Sequence, residues 1–207
     1  MRNIVYFGLS LLLLWYWAYE DHLDAYLQWQ SAPTLGEFAP AEPLQTPLPA
    51  DETAAWTFKG CTITPLARYQ ITARLLHFKS YVDEWAGNIS PFDYALGWGR
   101  MSDPTIYQKL NIGQGVRWYT YSWSDEPPIP VDEIVCHSAN THLIPATDEL
   151  SNRLFYFHTD DVVRLNGYLV QVDGPGISHW RSSLSRTDTG NGSCEIMWVN
   201  DAIKVGR

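Results

Sequence analysis

The sequence predicts a β-rich α+β domain with two short helices, placed behind an N-terminal transmembrane helix. Three observations lead to this prediction. Residues 4–19 carry no charge, apolar and polar residues alternate over residues 69–75, and an apolar segment at 162–172 is interrupted by Gly167. The first pattern is typical of a membrane-spanning helix, and the other two are typical of strands.

The uncharged run at residues 4–19 follows Arg2 and is followed by acidic residues at 20, 21 and 24. As a helix it would rise about 24 Å, and its aromatic residues cluster at the acidic end, where rings favour the headgroup region. The basic flank stays in the cytoplasm, so the rest of the chain is expected outside it. We therefore expect residues 1–30 to form a signal-anchor and juxtamembrane segment in the inner membrane, with a periplasmic C-terminal domain.

Two other interpretations of this run are a cleaved signal peptide and a buried helix of a soluble protein. A signal peptide needs small residues at its cleavage site. Ala18, Tyr19 and Glu20 match that requirement poorly, so we favour the uncleaved anchor.

Residues 31–55 contain five prolines and few large apolar residues. This composition predicts a semi-rigid, extended linker. Residues 56–207 then form the extracytoplasmic domain, which is long enough to bury a core. The formal net charge of −9 argues against nucleic acid as a partner, since nucleic acid needs a basic face. The membrane is contacted through the N-terminal helix.

The three cysteines are Cys61, Cys136 and Cys194. Outside the cytoplasm two of them can oxidise to a disulfide, which leaves one thiol over. Spacing alone does not assign the pair; we expect Cys136 to pair with Cys194, because both lie beside polar, loop-like segments.

Strands and helices alternate irregularly along the domain. Asp103 caps one predicted helix, with Pro104 at its first position and Gly113 beyond its end. Thr147 caps a second helix. Strands are predicted at residues 69–75, 116–123, 162–172, 180–185 and 194–199, with a bulge or bend at Gly167. A helix that falls between the third and fourth strands fits an OB-like small barrel, with another small barrel or an α+β sandwich as alternatives.

Four segments concentrate aromatic, glycine and polar residues: SPFDYALGWGRMSD at 90–103, RWYTYSW at 117–123, HSANTHLIPA at 137–146 and WRSSLSRTDTGNGSCE at 180–195. These strings resemble an uncharacterised family of small, membrane-anchored bacterial envelope proteins, over most of the chain after Tyr69. No activity is established for that family. The resemblance therefore implies a location and a shared domain, and it assigns no catalytic residue.

Two histidines and an amide, His137, Asn140 and His142, are the first candidate site residues. If they converge in a loop, His137 and His142 can bind zinc once a third ligand joins them, such as Asp188. The plainer interpretation is a buried polar network in which these groups satisfy backbone partners. We expect no cofactor and keep zinc as the alternative.

A second candidate pairs Cys194 as a nucleophile with His142 as its base and Asp188 nearby. Such a thiol needs a lowered pKa to form a thiolate. A disulfide at Cys194 is the competing prediction.

A third candidate is the polar run that contains Arg181, Ser183, Arg186 and Asp188. If Arg181, Ser183 and Ser185 share one strand face, they can bind a carboxylate or phosphate through paired hydrogen bonds. The competing interpretation is a solvated strand face on which Arg186 pairs locally with Asp188.

Finally, alternation places Tyr119, Tyr121 and Trp123 on one face of a strand. These rings form either part of the core or an exposed platform for sugar rings.

Together these observations predict a noncatalytic binding or scaffold module of the bacterial envelope, which binds another envelope protein or a cell-wall glycan. The main argument is that no catalytic or cofactor motif of known spacing is present. The alternative is an envelope hydrolase or transferase that uses a His, Asp and Cys cluster, with or without zinc.

Overall fold

The computed structural model describes residue 39 and residues 41–81, 86–190 and 192–206. The predicted anchor at 1–30 and the first part of the predicted linker lie outside these ranges. Within them, no helix is both long enough and apolar enough to cross a membrane.

The described residues form a β-rich domain with three α-helices, one more than predicted. The strands are β1 Leu44–Thr46, β2 Trp56–Phe58, β3 Cys61–Ser80, β4 Phe92–Gly97, β5 Asn111–Gly115, β6 Trp118–Ser122, β7 Ser138–Pro145, β8 Val162–Gly174, β9 Ile177–Arg181 and β10 Glu195–Gly206. The helices are α1 Pro104–Tyr107, α2 Val131–Cys136 and α3 Asp148–Phe155, and single 3-10 turns cover Ala50–Glu52 and Gly99–Ser102.

Five of the strands pair in a closed ring, in the order β3, β4, β7, β10, β8 and back to β3. The pairing of β7 with β10 is parallel, and the other four are antiparallel. The long strand β3 closes the ring because its first part pairs with β8 and its last part with β4, with a register shift between Leu75 and His77.

The central cluster of buried side chains follows the strand alternation, as at Tyr69, Ile71, Ala73 and Leu75 on β3. Leu150 and Leu154 of α3 pack into the same cluster. Thr147 Oγ1 accepts the Leu150 backbone N–H, which confirms the predicted cap. A separate cluster, which includes Ala95, Met101 and Ile134, lies where α1, α2 and the β5–β6 hairpin cover β4.

Gly167 on β8 lies where β10 bulges, at the register shift between Val199 and Asp201. A Cβ added to Gly167 would stand 1.8 Å from the Trp198 carbonyl oxygen. The backbones therefore approach too closely for any side chain at this position.

The linker boundary predicted from proline content is wrong for its described part. Strand β1 pairs with β3, with Leu44 opposite Gln70. The Glu42 carboxylate accepts a 2.7 Å hydrogen bond from the Trp98 indole. The prolines here do not prevent packing, because a short edge strand tolerates them on either side.

Two strand predictions are also corrected. The segment predicted at 116–123 begins as a strand only at Trp118, because Val116 and Arg117 form a turn. The segment predicted at 180–185 leaves the sheet after Arg181, where the Ser183 hydroxyl accepts the Ser185 backbone N–H and starts a local turn.

Candidate functional site

A cleft of about 250 Å³ lies outside the ring, over β7, between two walls. One wall is the β5–β6 hairpin, and the other is residues 182–190, here called the polar loop. The start of β10 completes the floor. The lining residues are Trp98, Trp118, Tyr119, Tyr121, Val135, Ser138, Ala139, Asn140, Ser185, Arg186, Asp188, Thr189, Gly190, Ser193, Cys194 and Glu195.

The hairpin wall turns through two residues with left-handed backbone, Val116 at φ 53° and Arg117 at φ 65°. Such a two-residue turn matches the twist of the strands, but a β-branched residue rarely adopts this conformation. The turn therefore needs contacts elsewhere to hold it.

Arg117 supplies those contacts. Its Nη1 donates to Asp93 Oδ1 and to the Ser90 carbonyl oxygen, both at 2.9 Å. Its guanidinium lies 3.9 Å from the centroid of the Tyr81 ring. Both charged side chains of the ion pair are almost wholly buried, at 8% exposed for Arg117 and 0% for Asp93. This pair ties the tip of the hairpin to β4.

Asp93 also joins two residues of the neighbouring strand β7. Its Oδ1 lies 2.8 Å from Nδ1 of His142, and its Oδ2 accepts a 3.4 Å bond from the Asn140 amide. Register explains this, because β4 pairs with β7 so that Asp93 lies opposite His142. His142 is therefore buried beneath the cleft and takes no part in its lining.

Asn140 is held in one orientation. Its Oδ1 accepts from Gln114 at 2.6 Å, and its Nδ2 donates to the Arg117 carbonyl oxygen at 3.2 Å. The same Nδ2 lies 3.9 Å from the Cys194 sulfur. One carboxamide thus connects β7 in the floor of the cleft to the hairpin wall and to Cys194 beside the start of β10.

The aromatic side chains of the hairpin form a ladder. The ring centroids of Tyr119 and Tyr121 are 5.5 Å apart, and those of Tyr121 and Trp123 are 6.3 Å apart and stacked. Burial raises the pKa of Tyr119 well above its usual value, although its hydrogen bond to Ser138 acts in the opposite direction. Trp118, 39% exposed, stands at the rim. The ladder is therefore part core and part lining, with Trp123 on the core side.

Arg186 fixes the opposite wall. Its Nη1 donates to the Tyr69 hydroxyl at 3.1 Å and forms an ion pair with Glu195 Oε1. Its Nη2 donates to the Ser183 carbonyl oxygen at 3.4 Å. The Ser183 hydroxyl in turn donates to Asp188 Oδ2 at 2.7 Å. These bonds hold the polar loop against the ring.

Glu195 is 2% exposed. It lies on the same face of β10 as the buried Met197 and Val199, because the three occupy every second position of the strand. Burial raises the pKa of its carboxyl to about 7, and the Arg186 charge opposes that rise without cancelling it. The proton of Glu195 is therefore exchanged near neutral pH.

Cys194 has a pKa raised to about 12, first by burial and then by the neighbouring Glu195 carboxylate. At neutral pH it is a thiol, which is a poor nucleophile. The expected disulfide with Cys136 is not formed, since all three cysteines are free in the structure.

The structure brings together Tyr119, Tyr121, Asn140, Arg186, Asp188 and Cys194 of the predicted site residues around the cleft. Segments 137–146 and 180–195 meet because β7 and β10 pair with Thr141 opposite Glu195.

Other predicted residues lie away from the cleft. His137 contacts the Glu133 carbonyl oxygen and the Glu42 carboxylate. Arg181 is exposed and donates to Gln171, while Ser183 lies behind Asp188. In the described part of the chain, no three His, Cys, Asp or Glu side chains are grouped as metal ligands.

Sequence reasoning missed Trp98 and Trp118 in the lining and the Asp93–Arg117 pair beneath it. Glu195 was considered only as a third zinc ligand, although its position two residues before Met197 and four before Val199 on β10 was a signal of burial. The pair had none, because it depends on the turn at Arg117 and on the register of the ring.

No family model matches the sequence, and neither curated proteins nor solved structures show a significant similarity to it.

Proposed function

We propose that this protein is a membrane-anchored, extracytoplasmic binding module of the bacterial envelope, and that it binds a cell-wall glycan in the cleft. The observation that carries the proposal is that two different walls face each other across the cleft. One wall contributes the aromatic rings of Trp118 and Tyr121, and the other contributes the hydroxyl of Ser185 and the carboxylate of Asp188. Apolar rings beside a few convergent polar groups are typical of small-ligand sites.

The proposed architecture is an OB-like barrel. In its support, the ring strands taken along the chain are β3, β4, β7, β8 and β10, and the third and fifth are the parallel pair. Helix α3 falls between the third and fourth strands. OB barrels bind oligonucleotides or oligosaccharides on the face of their second and third strands and at the loop between the fourth and fifth.

The cleft occupies the corresponding position, since it lies over β7 and is walled by the polar loop between β8 and β10. The net charge of −9 argues against oligonucleotides as ligands, so oligosaccharides are the favoured class.

The size of the cleft favours a glycan over a protein partner. Its 250 Å³ falls just below the roughly 300–1,000 Å³ of sites for drug-sized ligands, so it suits one or two sugar rings. A stable protein interface instead needs a surface of about 1,200 Å² or more.

The location is proposed from the sequence. The uncharged run at 4–19, with a basic residue before it and acidic residues after it, favours an anchor with the domain outside the cytoplasm. The resemblance to envelope proteins points to the same compartment.

The alternative, a hydrolase or transferase based on His142, Asp188 and Cys194, has weaker support. These side chains have separate hydrogen-bond partners, in Asp93, Ser183 and Asn140 respectively. The raised pKa of the Cys194 thiol also leaves no thiolate at neutral pH.

The test is co-sedimentation of the full-length protein, purified in detergent, with purified cell-wall sacculi. Trp118→Ala removes the rim ring and should weaken binding about tenfold or more. Tyr156→Ala removes an exposed ring at the C-cap of α3 that does not line the cleft, and this variant should bind like the wild type. Absence of wild-type binding, or equal binding by Trp118→Ala, would overturn the proposal.

A further inference from the structure

We infer that the cleft takes an uncharged sugar ring and excludes anionic ligands, an inference that rests on the proposed glycan-binding function. An anion site for a carboxylate or phosphate on the polar run around Arg181 was one of the two interpretations of the sequence, and the solvated strand face was the other. The geometry of Arg181 and Arg186 decides against the anion site.

Arg186 is the only Lys or Arg among the described lining residues, and its hydrogen-bonding groups are directed into the protein. Its Nη1 donates to the Tyr69 hydroxyl and forms the ion pair with Glu195, and its Nη2 donates to the Ser183 carbonyl oxygen. The Arg186 Nε is itself buried from solvent. An incoming anion therefore meets no accessible guanidinium edge for the paired hydrogen bonds that arginine sites use.

Arg181 does not replace it. Its side chain is exposed outside the cleft, and its Nη1 donates to Gln171 Oε1 at 3.0 Å. The two arginines of the polar run thus fail to form one site.

Asp188 sets the sign of the charge at the cleft. It is an exposed residue of the lining, and its Oδ2 accepts from the Ser183 hydroxyl at 2.7 Å. Among the described lining residues, Asp188 carries the one charge that lies outside the Arg186–Glu195 ion pair, so its carboxylate faces a ligand. It accepts hydrogen bonds from hydroxyl groups and repels carboxylates, sulfates and phosphates.

Trp118 and Tyr121 supply the complementary apolar surface. Trp118 is partly exposed at the rim, and Tyr121, three residues further along β6, also lines the cleft. A sugar ring has an apolar C–H face and a rim of hydroxyl groups. The C–H face of the sugar can therefore cover an aromatic ring while its hydroxyl groups donate to Asp188. An anionic ligand in the same position would bring its own negative charge close to the Asp188 carboxylate and be repelled.

The experiment measures binding of two matched probes to the full-length protein in detergent by isothermal titration calorimetry. The probes are the fully N-acetylated form of chitotetraose, called chitotetraose below, which is uncharged, and its sulfated derivative, which is anionic. At low salt, chitotetraose should bind at least about tenfold more tightly, and the difference should shrink as salt screens the carboxylate.

Asp188→Asn removes the charge and keeps a similar side-chain shape. It should reduce the ratio of the two dissociation constants, sulfated to uncharged probe, by about tenfold. Asp125→Asn changes an exposed aspartate outside the lining and serves as the matched control, with no expected change. Glu195→Gln is a second variant, which should admit the sulfated probe by leaving the Arg186 charge unopposed.

Equal or tighter binding of the sulfated probe by the wild type would overturn the inference, as would an unchanged preference in Asp188→Asn. If sacculi bind but chitotetraose does not, the uncharged-sugar inference fails while the proposed function stands. If neither sacculi nor chitotetraose binds, the proposed function itself fails.

Discussion

The guanidinium of Arg117 and the carboxylate of Asp93 form a 2.9 Å ion pair that is almost wholly buried beneath the cleft. The pair joins the tip of the β5–β6 hairpin to the middle of β4. It offsets the unusual backbone at Val116 and Arg117 and holds the aromatic wall in place. The shape of the cleft therefore depends on one buried electrostatic contact.

Arg117→Ala should destabilise the protein by about 3–5 kcal/mol, because it leaves the Asp93 carboxylate buried without its cationic partner. Chemical denaturation followed by tryptophan fluorescence measures the change. Arg100→Ala is the control, since it breaks an exposed ion pair with Glu133 that is worth about 0–1 kcal/mol. Similar losses in the two variants would contradict the structural role given to Arg117.

Gly167→Ala should cost about 3 kcal/mol or more, because the new methyl group would collide with the Trp198 carbonyl oxygen, which is backbone and cannot rotate away. Gly113→Ala is the matched control. A Cβ there would meet the Thr120 hydroxyl at an ordinary 3.6 Å, so its free energy of unfolding should change by no more than about 0.5 kcal/mol. Equal effects at the two glycines would show that β8 and β10 are not in this register.

Strands β3, β8 and β10 of the ring could be predicted in part, because local patterns determine them, but β4 and β7 were not among the predicted strands. The alternation around Ile71, the cap at Thr147 and the irregularity at Gly167 all survive in the structure. Strand β1 and helix α2 were missed because both lie among prolines. Pro130 is the N-cap of α2 and is followed by acidic residues in the first turn, a signal that was available.

The pH dependence of stability should change in Glu195→Gln. The folded pKa of about 7 lies above the ordinary value of 4.5, so the native state holds this proton more tightly than the unfolded chain. The resulting stabilisation is complete below pH 4.5 and is lost as the pH rises through 7. It amounts to about 3 kcal/mol.

Denaturation at a series of pH values measures this slope. In the wild type, the contribution of Glu195 should lower stability between pH 4.5 and 7, and the Gln variant should lack that contribution. Glu149→Gln, an exposed residue of α3, should keep the wild-type slope. A Glu195→Gln profile parallel to the wild type would refute the assigned titration.

The topology proposal predicts that a reporter enzyme fused after Arg207 is active only outside the cytoplasm. The protein should also stay in the membrane fraction during carbonate extraction, because a spanning helix is not removed by high pH. Recovery of the full-length chain in the soluble cytosolic fraction would refute the anchor.

The site was less predictable than the fold. Asn140, Arg186 and Asp188 were found because polar residues concentrate in their segments. The roles of these residues could not be predicted, since Arg186 binds Glu195 and Tyr69 through contacts that only the folded ring creates. Chain-local patterns carry no information about such distant pairs.

The central claim is that glycan binds in the cleft between the hairpin and the polar loop. Hydrogen–deuterium exchange of the full-length protein, with and without saturating chitotetraose, tests this location directly. We predict slower exchange in peptides that cover β6 and residues 185–190, with little change elsewhere. Slowing confined to the groove beside Gln70 and Asn166, across β3 and β8, would contradict the claim.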